Sequence, residues 1–417
     1  MLNYLRVFLP AFVILLSSCS GSRQLTSAGG EDQKDGVEGA DNAYLTVRES
    51  LRLQTDTLPV IFTINDLNRF DTVFLSLMDP RTPYGKALAA RKRDTICIVG
   101  TGDIMPGTNY PDERYLPPGN GCAALFDPVR KYLAASDVTF GNLEGVFSGD
   151  AGTAKKCRDP SVCYVFRMPD ATLDCILDAG YDVLSVANNH VNDFGPAGRE
   201  YTARLLEAAG VPFAGFHSRP YTTFEKNGLT YGFAAFSPHT GTVSLKDYAG
   251  AAEIVALLDS ISDVVIVSFH GGAEGRDHQH VPCTDEVYLG YNRGNVCKFA
   301  RTVVDAGADV VFGHGPHVIR GMELYKDRLI CYSLGNFCTY ARFNLSGPNG
   351  LAPIIQVFMA RDGTFLEGRI IPVVQPGEGG PRYDPRRQAI GKMQELSAAD
   401  FPDSPLVIEN DGTFRIE

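Results

Sequence analysis

The sequence has no excess of basic residues, and this excludes one broad class of function. Its 417 residues include 38 lysines and arginines against 49 aspartates and glutamates, for a formal net charge of −11. A nucleic-acid-binding protein needs a basic surface that neutralises phosphates, so we expect no nucleic-acid partner. An anionic substrate would have to be held by individual arginines or by a bound metal ion, because the overall field repels it.

The chain also lacks long apolar runs, internal repeats and finger-like cysteine pairs. The apolar run over residues 7–16 is too short for a helix that spans a bilayer. No two cysteine pairs have the spacing of a zinc finger, which argues against a structural zinc cluster. Apolar residues still make up 44% of the chain, which is enough for a sizeable core.

Residues 1–19 predict a bacterial lipoprotein signal peptide. The apolar stretch ends in Leu16-Ser17-Ser18-Cys19, which resembles a lipoprotein box and implies cleavage before Cys19 and lipidation of that cysteine. The alternative is an ordinary signal peptide with a chance cysteine. Residues 20–42, rich in Gly, Ser, Asp and Glu, predict a flexible tether. We therefore expect an exported protein, lipid-anchored to a membrane of the bacterial cell envelope on its periplasmic or surface side.

Export permits disulfides, and nine cysteines remain after Cys19. Cys157 and Cys163 bracket one short loop, and Cys283 and Cys297 bracket another, so both pairs are candidate local bridges. The sequence alone leaves the pairing open, and an odd count leaves one thiol free.

Three segments follow the tether. Residues 43–93 form a small N-terminal segment that ends in a basic linker, residues 94–375 form the main domain, and residues 376–417 form a C-terminal extension. In the main domain, short runs rich in Val and Ile alternate with helical stretches. This alternation predicts an α/β fold with parallel strands and right-handed crossovers.

Six apolar runs of the main domain end in residues that bind metals or phosphates. They lead into Gly102-Asp103, Asn142-Leu143-Glu144, Asn188-Asn189-His190, His270-Gly271-Gly272, Gly313–His317 and Gly335-Asn336-Phe337. Ligands of α/β sheets bind outside the carboxyl ends of the strands. The aspartate, glutamate, asparagine and histidine side chains of these motifs should therefore converge on one rim, which predicts a site for one or two metal ions.

Each motif alone has a simpler interpretation. Gly-Asp after a strand is commonly a plain turn, Glu144 a surface acid, the Asn-rich segment a turn, and His270 a buried histidine with satisfied hydrogen bonds. His314 and His317 form the strongest pair, because the glycine and proline between them present both imidazoles rigidly. The arrival of all six motifs at one edge favours the metal site over chance.

The other polar residues near this rim divide into three groups. His190 is predicted to point at the substrate and protonate a leaving oxygen, with Asp193 as the second catalytic residue of the same motif. The predicted substrate contacts are Asn142, Glu274, Arg276 and Asn336. His278 and His280 fit a solvated loop pair better than ligands, and we assign no role to His217 and His239.

Together the motifs resemble the CapA family, the capsule and poly-γ-glutamate synthesis proteins related to calcineurin-like metallophosphoesterases. The matching segments are Gly102–Met105, Asn142–Glu144, Ala187–His190, Ser268–Gly272, Gly313–His317 and Tyr332–Phe337. The resemblance implies an α/β fold that is a four-layer α/β/β/α sandwich of the metallophosphoesterase type. It carries over the metal ligands Asp103, Glu144, Asn189, His270, His314 and His317, and it carries over His190 as the acid near the phosphate.

Three departures from the phosphoesterase pattern bear on the metal. Met105 stands where the first motif has a histidine, Glu144 replaces a bridging aspartate, and the final His-x-His becomes His314-x-x-His317. These departures imply that one metal position is weakened or that a single ion binds.

Two hypotheses of function follow. In the first, a CapA-like capsule or poly-γ-glutamate biosynthesis enzyme uses one or two divalent ions (manganese, iron, zinc or magnesium) to hydrolyse a phosphorylated small molecule or an acyl phosphate. In the second, a non-catalytic membrane-anchored scaffold holds an anionic capsular polymer or a capsule-assembly protein, through a cation and Arg276, Arg293 and Arg320. Only the enzyme must lose turnover when His190 is changed.

Overall fold

The computed structural model describes residues 95–156 and 163–417, apart from the side chain of residue 120. The predicted signal peptide with Cys19, the tether and the segment of residues 43–93 lie outside the described residues, as does Cys157. Within the described ranges, no helix is long and apolar enough to cross a bilayer.

Strands and helices alternate through the first half of the described chain, as predicted. The strands are β1 (Thr95–Met105), β2 (Val138–Leu143), β3 (Val146–Phe147), β4 (Arg167–Met168), β5 (Val183–Ser185), β6 (Phe213–Ala214), β7 (Tyr221–Lys226), β8 (Leu229–Phe236), β9 (Val264–His270), β10 (Glu286–Tyr288), β11 (Tyr291–Gly294), β12 (Val310–His314), β13 (Met322–Tyr325), β14 (Arg328–Cys331), β15 (Asn336–Thr339), β16 (Ile354–Ala360), β17 (Phe365–Ile371), β18 (Val373–Val374), β19 (Arg382–Tyr383), β20 (Leu406–Ile408) and β21 (Thr413–Ile416). The α-helices are α1 (Cys122–Phe126), α2 (Arg130–Leu133), α3 (Ala171–Asp178), α4 (Gly195–Ala208), α5 (Tyr248–Ile261), α6 (Val296–Asp305) and α7 (Gln388–Asp400).

Two mixed sheets organise these strands. The first has the order β20-β21-β17-β16-β1-β2-β5-β6, with β15 paired to the end of β1, and the second has the order β13-β14-β12-β9-β8-β7. The central strands of each sheet are parallel: β1, β2, β5 and β6 in the first, and β8, β9, β12 and β14 in the second. Antiparallel strands extend the sheets outward from this parallel core.

The inner faces of the two sheets form one apolar core. Phe140 of β2 stacks on Phe312 of β12 with ring centroids 5.4 Å apart, and Phe233 of β8 lies 5.5 Å from Phe140. The outer face of the first sheet packs against α1–α4, and that of the second packs against α5 and α6. The predicted α/β/β/α sandwich is confirmed.

Helix α6 shows how local sequence produces these outer layers. The Asn295 side chain caps it by accepting a hydrogen bond from the Lys298 N–H at 2.8 Å. Its buried positions are Val296, Cys297, Phe299, Ala300, Val303 and Val304, a stripe with helical spacing. The chain leaves the helix through Gly307 at a φ of +112°, a conformation that suits glycine.

The C-terminal extension belongs to the same compact unit as the main domain, Thr95–Glu417. Strand β21 pairs with β17, and β20 follows at the edge of the first sheet. One strand prediction needs correction: the apolar run of residues 329–334 does not lead as one strand into Asn336, because β14 ends at Cys331 and Asn336 begins β15.

The predicted Cys283–Cys297 disulfide is present, with Cα atoms 4.9 Å apart. A second disulfide, Cys122–Cys175, joins α1 to α3 across 53 residues of sequence. Cys163 is also disulfide-bonded. The described residues contain three buried free thiols, Cys97, Cys331 and Cys338, which is more than the one that an odd count requires.

Removing the disulfide between α1 and α3 should destabilise the fold measurably. We expect Cys122→Ser/Cys175→Ser to lower the free energy of unfolding by about 2–4 kcal/mol, because the bridge restricts a long loop of the unfolded chain. Urea unfolding followed by circular dichroism measures this change. The matched control is Cys283→Ser/Cys297→Ser, whose loop spans 14 residues and whose expected loss is about 1 kcal/mol smaller. Equal stability of the parent and the first variant would contradict this expectation.

Candidate metal centre

The polar residues that follow the central strands meet where the two sheets end. Asp103 lies near the end of β1, Glu144 directly follows β2, and His270 is the last residue of β9. His317 follows β12 at a φ of +55°, in a turn where an added Cβ on Gly315 would lie 2.6 Å from the Gly271 carbonyl oxygen. Only glycine permits this approach, which brings the loop after β12 against the loop after β9.

Glu144, His270 and His317 form the centre of the site. One ligand atom from each lies within 4.8 Å of the other two. The Nδ1 atom of His270 is 3.4 Å from Glu144 Oε2, and the Nε2 atom of His317 is 3.9 Å from Glu144 Oε1. Glu144 and His270 are fully buried, and the His317 side chain is 16% exposed. We refer to these three candidate ligands as the metal cluster.

Asp103 and two asparagines orient the metal cluster. His317 Nδ1 lies 2.9 Å from Asp103 Oδ2 and 3.1 Å from Asn336 Oδ1, which leaves its Nε2 atom facing Glu144. Asn142 Nδ2 donates to Asp103 Oδ1 at 2.8 Å and to Glu144 Oε2 at 2.7 Å. A carboxylate behind an imidazole in this way fixes the ring and raises its basicity. Asn142 and Asn336, predicted as substrate contacts, hold the acids and imidazole in place.

The electrostatics of the cluster favour a positive charge. Burial, and next the charge of Asp103, raise the pKa of Glu144 well above its usual range. Burial alone would lower the pKa of His317, but the hydrogen bond to Asp103 and the charges of Asp103 and Glu144 raise it to about 10. Both shifts reflect buried negative charge, which a bound cation would offset.

Several donor atoms of the cluster are buried without hydrogen bonds. Among the described residues, Glu144 Oε1 and both ring nitrogens of His270 have no hydrogen-bond partner, and outside the cluster the same holds for Oδ1 of Asn189, which precedes His190. Buried polar atoms are satisfied in nearly all proteins, so such a group calls for a ligand. Carboxylate oxygen, amide oxygen and imidazole nitrogen suit manganese, iron or zinc. The donor set therefore fits a divalent cation.

His190 lies beside the metal cluster with its ring fixed from behind. Its Nδ1 atom is 2.8 Å from Asp193 Oδ2, and its Nε2 atom is 4.0 Å from Glu144 Oε1. Asp193 also accepts the Phe166 N–H at 2.7 Å and pairs with Lys155 Nζ at 2.6 Å. Burial lowers the pKa of His190, and Asp193 acts against that shift. Lys155 was missed, since its loop carries no motif that points to the site.

His314 is not one of the three grouped ligands, although it lies opposite His270 in the pairing of β12 with β9. Its Nε2 atom is 2.9 Å from the Thr101 carbonyl oxygen, and its ring contacts Phe140 edge-on at 5.5 Å between centroids. Its Nδ1 atom has no hydrogen-bond partner within the described part of the chain. The structure therefore brings His317 and His270 together with Glu144, and it directs one nitrogen of His314 to the backbone of β1.

The arginines and the glutamate predicted to contact a substrate or polymer differ in whether their side chains are free to bind it. Glu274 Oε1 pairs with Arg293 Nη2 at 2.6 Å, and Arg276 is exposed on the turn of residues 276–278. Arg320 is fully buried in an ion pair with Glu286. The prediction that Arg320 holds a polymer is therefore wrong, because its guanidinium is enclosed by the protein.

His239, to which the sequence assigned no role, reaches the same site. It follows β8 by three residues, and its ring centroid lies 6.1 Å from that of His270. Burial, and next the charge of Arg293, lower its pKa to about 2, so the imidazole is neutral. The sequence does contain a pattern that predicts this position for His239. The apolar run of residues 229–236 is followed by Ser-Pro-His, as the other apolar runs are followed by their polar motifs.

A four-layer α/β/β/α sandwich with a carboxylate–imidazole cluster at its strand ends is the class of fold and site that the resemblance to calcineurin-like metallophosphoesterases implied. Within that class the family is also shown. The chain belongs to the family described as bacterial capsule synthesis protein PGA_cap, whose profile matches residues 97–341. The predicted CapA relationship is confirmed.

Individual relatives agree with this assignment. The capsule biosynthesis protein CapA of Bacillus anthracis is 29% identical over 279 residues, which cover 62% of this chain and 63% of that protein. The PGA biosynthesis protein CapA of Bacillus subtilis (strain 168) is 26% identical over 260 residues, 58% of this chain and 63% of its own length. These matches span slightly less than two thirds of both relatives.

Among solved structures, the 5′-nucleotidase precursor from Thermus thermophilus is similar with a TM-score of 0.38 and 15% identity. That match covers 72% of this chain and 59% of the nucleotidase.

Proposed function

We propose that this chain is a metal-dependent hydrolase of phosphoester or acyl-phosphate bonds that acts in the synthesis of an anionic capsular polymer. The observation that carries the proposal is the buried Glu144–His270–His317 cluster with His190 fixed beside it. Relatives whose names refer to capsule and PGA biosynthesis support the choice of pathway. The substrate is a phosphorylated small molecule or an activated end of the polymer.

Glu144, His270 and His317 would hold the ion, with Asn189 Oδ1 as a further oxygen ligand. A divalent cation bound there would polarise a phosphoryl oxygen and lower the pKa of a water molecule. Asp103 acts behind His317, because its carboxylate holds the ring nitrogen that faces away from Glu144. The buried position of Glu144 and His270 excludes bulk water from the reacting groups and strengthens each electrostatic contact.

His190 is suited to proton transfer. Asp193 holds its Nδ1 atom, so the proton that moves is carried at Nε2, the atom that faces the metal cluster. An imidazolium in that position would donate its Nε2 proton to the leaving oxygen, and Asp193 favours this charged form. The ion pair between Lys155 and Asp193 holds the carboxylate in place.

We further propose that the reaction takes place in the bacterial cell envelope, with the folded unit tethered to a membrane through a lipid on Cys19. The lipoprotein-like segment at residues 16–19 and the polar stretch after it support this location. The partners would be the anionic polymer and other capsule-assembly proteins.

One observation favours a second candidate, a scaffold that binds the polymer through a cation without cleaving it. Met105 replaces a ligand of the phosphoesterase pattern, and His314 directs Nε2 to a backbone carbonyl. A weakened second metal position would leave binding intact while removing much of the catalytic power.

The metal content of the full chain tests the site itself. The protein, purified without chelator and reloaded with manganese, iron or zinc, should carry stoichiometric metal by elemental analysis. His270→Ala and His317→Ala should lose it, because each removes a ligand of the metal cluster. Asp103→Asn, which acts through His317, should weaken metal affinity about 10–100-fold.

The matched control is His217→Ala, which removes an exposed histidine and should keep the full metal content. A parent protein that holds no metal after reloading would contradict the hydrolase proposal. If both cluster variants retained the metal, the metal would have to bind at another site.

A further inference from the structure

We propose that His239 and Arg293 form an oxyanion-binding subsite beside the metal cluster, which receives a phosphate or carboxylate group of the substrate. This inference rests on the proposed function, because the subsite serves the same substrate. It assigns a role to two residues outside the ligand set predicted from the sequence.

His239 is held rigidly at the end of β8. Its carbonyl oxygen accepts the Thr242 hydroxyl at 2.7 Å, and its N–H donates to the Ser237 hydroxyl at 3.3 Å. These bonds fix the backbone, so the ring stands against His270 at an interplanar angle of 67°. Its Nε2 atom is buried and has no hydrogen-bond partner among the residues described. A buried imidazole nitrogen without a partner is available for a ligand.

Arg293 approaches the same place from the β10–β11 hairpin. It is only 5% exposed, and its carbonyl oxygen accepts the Gly272 N–H at 3.1 Å, which ties it to the turn after His270. Its Nη2 atom pairs with Glu274 at 2.6 Å. Its Nε atom is buried, without a hydrogen-bond partner in the described ranges. One edge of the guanidinium therefore retains a donor for a carboxylate or phosphate oxygen.

Both residues lie within electrostatic range of one another and of the metal cluster. The charge of Arg293 lowers the pKa of His239 and also that of His270, in each case second only to burial. The charges of Lys155 and Lys246 act on His239 as well. Lys155 and Arg293 are each paired with an acid, so the local anion contact that an acidic chain needs falls to the unpaired Nε donor of Arg293.

The subsite is preorganised by covalent and ionic links. The Cys283–Cys297 disulfide closes the loop that carries the hairpin, and Asn295 Nδ2 donates to the Cys283 carbonyl at 2.9 Å. The Arg320–Glu286 pair anchors the first strand of the hairpin. Because Arg293 is fixed before the ligand arrives, less side-chain entropy is lost on binding.

Inorganic phosphate is the probe, titrated into the metal-loaded full chain by isothermal calorimetry. His239→Phe keeps the ring shape and removes its nitrogens, and Arg293→Lys keeps the charge opposite Glu274 and removes the Nε donor. We expect each variant to bind phosphate about 10-fold or more weakly, the effect of losing a hydrogen bond to a charged group. The metal content should stay equal to that of the parent. Arg382→Lys, at an exposed position of β19, is the control that should leave phosphate affinity unchanged.

The subsite proposal is overturned if both variants bind phosphate as tightly as the parent, or if the metal-loaded parent binds no phosphate. Neither result would contradict the metal cluster. Loss of metal from either variant also overturns the subsite proposal, because that residue would then be a metal ligand. Failure of the proposed function is distinct, since the parent would then hold no metal. Circular dichroism and urea unfolding identify any variant that fails to fold, and the other variant then decides the result.

Discussion

Replacing His190 with alanine is expected to lower the rate of phosphoester hydrolysis by about 10²–10⁴-fold, the usual contribution of a positioned general acid. The Nε2 atom of His190, which carries the proton, lies 4.0 Å from Glu144 Oε1. Asp193 fixes the ring from behind through Nδ1. The metal content should not change, because the ring faces the cluster from 4.0 Å and is not one of its three central ligands.

The measurement is the steady-state rate with a chromogenic phosphodiester or acetyl phosphate, together with elemental analysis of the same samples. Asp193→Asn is the companion variant: it should lower kcat with little change in KM, since it acts by orienting His190. A scaffold would show no metal-dependent turnover in the parent. A parent that turns over and a His190→Ala variant with the same rate would remove His190 from the mechanism and leave the cluster in place.

Replacing Arg320 with methionine is expected to lower the free energy of unfolding by about 3–5 kcal/mol, because it leaves a buried charge without compensation. Arg320 donates to Glu286 through Nη1 at 2.9 Å and Nη2 at 2.7 Å, and through Nε to the His278 carbonyl at 2.9 Å. Glu286 also accepts the Ala273 N–H at 2.9 Å. The pair therefore fastens the segment after His270 to the body of the second sheet.

Urea unfolding of the single variant and of Arg320→Met/Glu286→Leu separates the buried charge from the lost packing. The double variant should recover most of the stability, because it removes both charges and fills the space with apolar atoms. A double variant as unstable as the single one would show that the hydrogen bonds to backbone groups, and not the ion pair, carry the effect. Metal content in both variants reports whether His270 keeps its position.

The sequence predicted which strand ends meet, and it did so for a physical reason. Parallel strands direct their carboxyl ends to one edge, so an apolar run followed by Glu144 or His270 places that side chain at the rim without knowledge of any contact. The same rule would have found His239, which follows β8.

The directions of single side chains could not be predicted from the sequence, because they depend on partners far away in the chain. His314 turns to the carbonyl oxygen of Thr101, 213 residues earlier. The Cys122–Cys175 disulfide requires that α1 and α3 lie side by side on the first sheet, which spacing alone cannot show. Arg320 was named as a polymer contact, which requires an accessible side chain, and only the position of Glu286 explains its burial.

Strand β1 has consequences for the order in which the protein folds. Its first half pairs with β16, where Gly100 lies opposite Ile355, and its end pairs with β15, where Asp103 lies opposite Asn336. Contacts so distant in sequence form slowly, because a long loop must close before they contribute any energy. A chain that grows from its N-terminus therefore exposes one edge of β1 until residues 336–360, which include β15 and β16, have been synthesised. We expect a ribosome-bound fragment that ends before β15 to carry Glu144, His270 and His317 and still be unable to complete the metal cluster, because Asn336 and the strand beside Asp103 have not yet arrived.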